Sequence, residues 1–73
     1  MRLTTLMAEE NLLQIQIAQN ANISRSVISK LLRGISQPSL FTIDRLMAAY
    51  PALTSSDIFA DFDDARRKHA ERM

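Results

Sequence analysis

The sequence predicts an all-α domain of five short helices in which the second and third, joined by a tight turn, form the working element. Three observations carry this. Apolar residues recur at spacings of three and four throughout, and no stretch alternates apolar and polar residues between turn signals. Helix breaks and starts follow one another at regular intervals, at Asn11, Asn22 and Ser24, Gly34, Ser39, Pro51 and Thr54. Between Asn22 and Ile43 stand three bases, Arg25, Lys30 and Arg33, and no acid.

Leu3, Leu6 and Met7 form one apolar stripe, so a helix of two to three turns is expected at residues 2–10. Asn11 follows at the position of a left-handed C-terminal cap. Leu12 begins a second helix with Leu13, Ile17, Ala18 and Ala21 inward and Gln14, Gln16, Gln19 and Asn20 on the wet side. Asn22 breaks it, and Ser24 caps a third helix running to about Arg33, with Val27, Ile28 and Leu31 inward and Gly34 closing it. After the loop at Ile35 to Pro38, Ser39 caps a fourth helix whose stripe is Leu40, Ile43, Leu46, Met47 and Tyr50, ended by Pro51. Thr54 and Asp57 have the spacing of a capping box, with aspartate in place of Glu or Gln. The fifth helix carries Ile58, Phe59 and Phe62, Phe59 being assigned to the core. Residues 63–73 lack a large apolar residue until the final methionine, and either extend this helix or form a frayed charged tail. The expected division is therefore a domain at 1–62 and an appendage at 63–73.

A chain of 73 residues is one domain at most, and a domain of that size buries only roughly 60% of the surface its unfolded chain exposes. It contains no cysteine and one histidine, His69, so neither a disulfide nor a thiolate or multi-histidine metal site is expected. Neither a run of about 18 apolar residues nor a signal-peptide pattern occurs, and a soluble, cytoplasmic protein without membrane partners is expected. The formal net charge of +1 conceals a division along the chain. From Pro51 onward the acids Asp57, Asp61, Asp63, Asp64 and Glu71 outnumber the bases Arg66, Arg67, Lys68 and Arg72, so positive charge is concentrated where a phosphate partner would need it. Nothing suggests catalysis. Ser29 and His69 have no acid at a recognisable spacing, and Asp57, Asp61 and Asp64, which share a helical face, lack a glycine-bearing calcium loop and are assigned to a solvated acidic face. No catalytic residue, metal or cofactor is expected.

Leu12-Leu13-Gln14, Ile17-Ala18, Asn22-Ile23-Ser24, Ile28-Ser29, Gly34, Pro38-Ser39 and Ile58-Phe59 stand in one register over about two-thirds of the chain. In that register the sequence resembles the phage-repressor-like (lambda-repressor-like, Cro/CI-type, XRE) helix-turn-helix family. The resemblance implies a compact five-helix lambda-repressor-like fold and a bacterial or phage-encoded protein acting at the nucleoid. Small Ala18 suits the close crossing of the two helices, and Asn22, which replaces the usual glycine, tolerates positive φ. Two further departures stand out. Glu9 and Glu10 end the first helix, where bases are frequent, and Leu32 replaces a frequent glutamate, which calls for cover from the C-terminal segment or a partner chain unless it is simply exposed.

Carried over residue by residue, the resemblance implies that Arg25, Ser26, Ser29 and Lys30 face base edges in the major groove, with Arg25 the candidate for a bidentate guanine contact. Gln14, Arg33, Ser36, Gln37 and Ser39 are the phosphate candidates, all but Arg33 at or just before a helix N-terminus. With so few cations, a homodimer on a palindromic double-stranded operator is expected, its contact involving Pro51 to Ser55 with Leu53, Phe59 and Phe62. The function implied is that of a sequence-specific transcriptional regulator, most simply a repressor. The alternative is an antitoxin or other protein-binding module of the same fold, with residues 63–73 seizing a partner protein; a helix-turn-helix reused purely for protein contact is a third.

Overall fold

The computed structural model describes residues 1–71, the last of them by its backbone alone. Five helices follow in order: α1 Leu3–Glu10, α2 Gln14–Ala21, α3 Arg25–Leu32, α4 Leu40–Ala49 and α5 Ser55–Glu71. No strand occurs among the described residues. Arg72 and Met73, the end of the expected appendage, lie outside them; within them the appendage is a continuation of α5 as far as Glu71.

Local chemistry explains where the helices stop and start. Asn11 (φ 55°) and Asn22 (φ 57°) end α1 and α2 in the left-handed conformation, which asparagine tolerates because its short side chain hydrogen-bonds locally. After α3, Gly34 takes φ 72°, its N–H donates to the Leu31 carbonyl (3.1 Å), and the Ile35 N–H donates to the Lys30 carbonyl (2.9 Å). That pair of bonds is a Schellman motif, which satisfies two carbonyls the helix leaves without partners. Ser24 Oγ accepts from the Val27 N–H and Ser39 Oγ from the Thr42 N–H, each at 3.2 Å. Before α5, Thr54 Oγ1 accepts from the Asp57 N–H (3.1 Å) while Asp57 Oδ2 accepts from the Thr54 N–H (3.0 Å), so aspartate completes the box despite its shorter reach.

One core is shared by all five helices. Leu3, Ile17, Ile28, Leu31, Leu46 and Ile58 are its fully enclosed large side chains, joined by Leu6, Ala18, Ala21, Ile43, Leu53 and Phe62. At roughly 1.5–3 kcal/mol per large apolar side chain removed from water, this cluster opposes the entropy cost of ordering a short chain. α2 packs on α3 and α4, and α5 runs behind α1, α3 and α4. The Asn20 side-chain amide donates to the Tyr50 hydroxyl (2.8 Å), tying α2 to the end of α4.

Several inward assignments are reversed. α2 begins at Gln14, two residues later than expected, which leaves Leu13 as an extended N-cap that is 64% exposed, while Leu12 packs against the core instead. Val27 faces solvent beside the buried Ile28, and Leu40 and Met47 lie at the margin of the α4 stripe and are exposed. Phe59 is 43% exposed, because Ile58 and Phe62 already fill the face of α5 that meets the core. Leu53 and Phe62, expected at a dimer contact, are buried within the chain itself at 2% and 5% exposure and present no surface to a second copy. Leu32, by contrast, is half-buried against the core and borders α5, so the C-terminal segment provides its cover.

Of the three carboxylates assigned to a solvated face of α5, Asp61 is enclosed and Asp57 and Asp64 are paired at the surface. Asp61 is buried at 4% exposure, and its Oδ2 and Oδ1 accept from the Leu3 N–H and the Thr4 hydroxyl, each at 2.7 Å. It acts as an N-cap supplied in trans to α1, whose own N-cap residue, Arg2, makes no side-chain cap bond. Asp64 pairs with Arg2, and Asp57 with the N-terminal ammonium (3.0 Å). Hydrogen bonds from that ammonium, then from the Thr54 hydroxyl and N–H, hold the Asp57 carboxyl below its ordinary value of 3.8.

Candidate nucleic-acid interface

The site begins with the crossing of α2 and α3. Ile17, Ala18, Ala21, Ile28 and Leu31 are all buried at their contact and so fix which side of α3 faces out. With about 100° between successive residues of a helix, burying Ile28 and Leu31 turns Ser26, Ser29 and Lys30 to the opposite side. Arg25, Ser26 and Lys30 are exposed and Ser29 is half-buried, so the four base-reading candidates share an accessible surface. None of Arg25, Lys30 and Arg33 forms a salt bridge among the described residues. Their charge is available to an external anion.

The phosphate candidates divide into two groups. Ser36, Gln37 and Ser39 meet Lys30 around a shallow depression of about 280 Å³, with Val27 and Thr42 in its lining. Here a base-reading candidate and three backbone-contact candidates are within one ligand's reach. Ser39 is committed to its cap and also donates to Thr42 Oγ1 (3.1 Å), so its hydroxyl has less to give than the amides it shelters. Gln14 stands half-buried as the first residue of α2, apart from this cluster; the Leu13 N–H before it donates to Gln16 Oε1 (2.7 Å). Arg33 lies on the far side, bordering a larger groove against α5 with Lys68 and His69.

Two features escaped sequence reading. Val27 belongs to the outer surface, 38% exposed and lining the depression with Lys30; its i, i+4 spacing to Leu31 points inward on the pattern alone, and only the position of α4 shows that it is left outside. Lys68 and His69 are brought beside Arg33 by the length of α5, which no local signal sets.

A family model described as "Helix-turn-helix", of the Cro/CI/XRE type, matches residues 3–57. The chain belongs to that helix-turn-helix family. The family is one of DNA-binding regulators, generally without enzymatic activity, and the α2–α3 pair is its characteristic element. No curated protein and no solved structure matches significantly. Most of α5 lies beyond the matched stretch, so the Lys68 and His69 wall is a feature of this member rather than of the pattern that defines the family. No helix among the described residues is long and apolar enough to cross a membrane, and no cluster of potential metal ligands occurs among them.

Proposed function

We propose that the protein is a sequence-specific double-stranded DNA-binding transcriptional regulator, acting as a repressor, that lays α3 in the major groove. The observation that carries this reading is the outer face of α3: unpaired cations and hydroxyls, beside a loop leading into the N-terminus of α4, on a scaffold of the helix-turn-helix family. Arg25 takes the role of direct readout, since its guanidinium suits guanine O6 and N7, while Ser26, Ser29 and Lys30 complete the base-facing set. Gln14, Ser36, Gln37 and the amides near Ser39 hold the phosphates on either side, with Arg33 adding charge at the C-terminal end of α3.

So few cations give modest affinity per chain, and a homodimer on a two-fold-related operator raises it. Phe59 and the loop at Pro51 to Ser55 remain as the dimer surface, Leu53 and Phe62 being enclosed. Residues 1–62 carry the DNA-binding unit, and the part of α5 that begins at residue 63 braces it through Ala65 and Arg66. The antitoxin reading is disfavoured because the segment it needs free is helical through Glu71, with its Ala65–Arg66 backbone in contact with Gly34. Selection of bound sequences from random duplex DNA tests the proposal: a palindromic motif with fixed half-site spacing is expected, and the absence of any enriched motif would sink it.

A further inference from the structure

The groove between the end of α3 and α5 encloses about 600 Å³ and combines two chemistries. Its floor is apolar, made by Leu32, Ile35 and Ala65; its rim carries Arg33, Lys68 and His69. None of these three rim residues forms a salt bridge or side-chain hydrogen bond among the described residues. The acids of the same groove are already engaged, Asp61 by the Leu3 N–H and the Thr4 hydroxyl and Asp64 by Arg2, with Thr4 and Arg2 themselves in the lining, so the uncommitted charge is positive.

We propose that this groove binds a small amphipathic anion, a carboxylate on a hydrocarbon or aromatic body, with the carboxylate on Arg33 and Lys68 and the body on Leu32, Ile35 and Ala65. The volume falls in the range of small-molecule sites, and although most of the lining is polar or charged, Leu32, Ile35 and Ala65 supply one apolar surface beside the cations. A nucleic-acid backbone uses the cations but leaves the apolar floor without a partner, which is why a small ligand is the better fit. Arg33 belongs to both the groove and the phosphate set, so an anion seated there withdraws charge from DNA. The ligand site stands on the groove alone, whereas its antagonism with DNA rests on the DNA-binding proposal above.

The test is a titration of the full-length, isotope-labelled protein with octanoate, followed by amide resonances, with acetate as the control that lacks an apolar body. Saturable shifts confined to Leu32, Arg33, Ile35, Ala65 and Lys68 are expected, with acetate producing none at equal concentration. K68E, with its core resonances unchanged, is expected to bind roughly tenfold more weakly, as reversing one near-surface charge implies. No saturable shift, equal shifts with acetate, or unchanged affinity in K68E would overturn the site. A duplex titration that moves the same amides, with K68E weakening DNA and octanoate alike, would also overturn it by making the groove a DNA backbone contact. If octanoate binds but leaves DNA affinity unchanged, the antagonism fails and the site stands. If no duplex binds at all, the DNA-binding proposal fails while the octanoate result still decides the groove.

Discussion

The acidic N-terminal part of α5 and the outer face of α3 use charge in opposite ways. Behind the domain, Asp57, Asp61 and Asp64 each find a partner in the first four residues, and the N-terminal segment is clasped to α5. In front, Arg25 and Lys30 have no salt-bridge partner among the described residues, and neither has Arg33 at the end of α3. Charges satisfied inside the fold hold it together; charges left unsatisfied at its surface are the ones that a polyanion can use. Gly34 is the joint between the two regions. It ends α3, and a Cβ there would stand 2.3 Å from the Arg66 backbone nitrogen.

The sharpest way to break this division is at that joint. Gly34→Ala combines positive φ with a clash against backbone that cannot rotate away, and is expected to cost about 3 kcal/mol or more in chemical denaturation. A loss below about 1 kcal/mol would show that α5 is not held against the end of α3. Next comes the clasp: Asp61→Ala strands the Leu3 N–H and the Thr4 hydroxyl, for an expected loss of about 2–3 kcal/mol. Its folded fraction should keep the sequence preference of the wild type, and a changed preference would show that clasp and reading face are coupled.

Arg25→Ala is the converse case. Denaturation should move by less than about 0.5 kcal/mol, because the side chain is exposed and unpaired, while binding to the selected operator should weaken by about 1–3 kcal/mol and lose preference at one base position. Equal weakening on every sequence would remove Arg25 from readout. The smallest effect is at Asp57. Its carboxyl is held below 3.8 in the folded protein, so its contribution is fully present above that value and fades as the pH falls through the lower folded value. Asp57→Asn should flatten the acid limb of a stability profile below pH 3.8 and leave neutral DNA binding unchanged; an identical acid limb in both proteins would mean that the ammonium contact is not maintained in solution.

Much of this architecture was legible residue by residue. The left-handed caps at Asn11 and Asn22, the capping serines Ser24 and Ser39, the Thr54–Asp57 box and the closing Gly34 all act within one turn of chain, so local sequence carries their physics. The accessible positions of Arg25, Ser26 and Lys30 follow from the same helical period that buries Ile28 and Leu31. The misassigned residues share a different trait. Leu13, Val27, Leu40 and Phe59 lie at the margins of apolar stripes, where periodicity narrows a direction to about a quarter turn and the neighbouring helix decides which side is covered.

By itself, then, the sequence determined the helices, their caps and the polar, basic side of α3, because these depend on neighbours at most four residues apart. Only the tertiary structure decided that Asp61 caps a helix 58 residues away, that Leu53 and Phe62 belong to the core, and that α5 carries Lys68 to Arg33. Those outcomes depend on how five apolar stripes share one interior, and no single stripe contains that information.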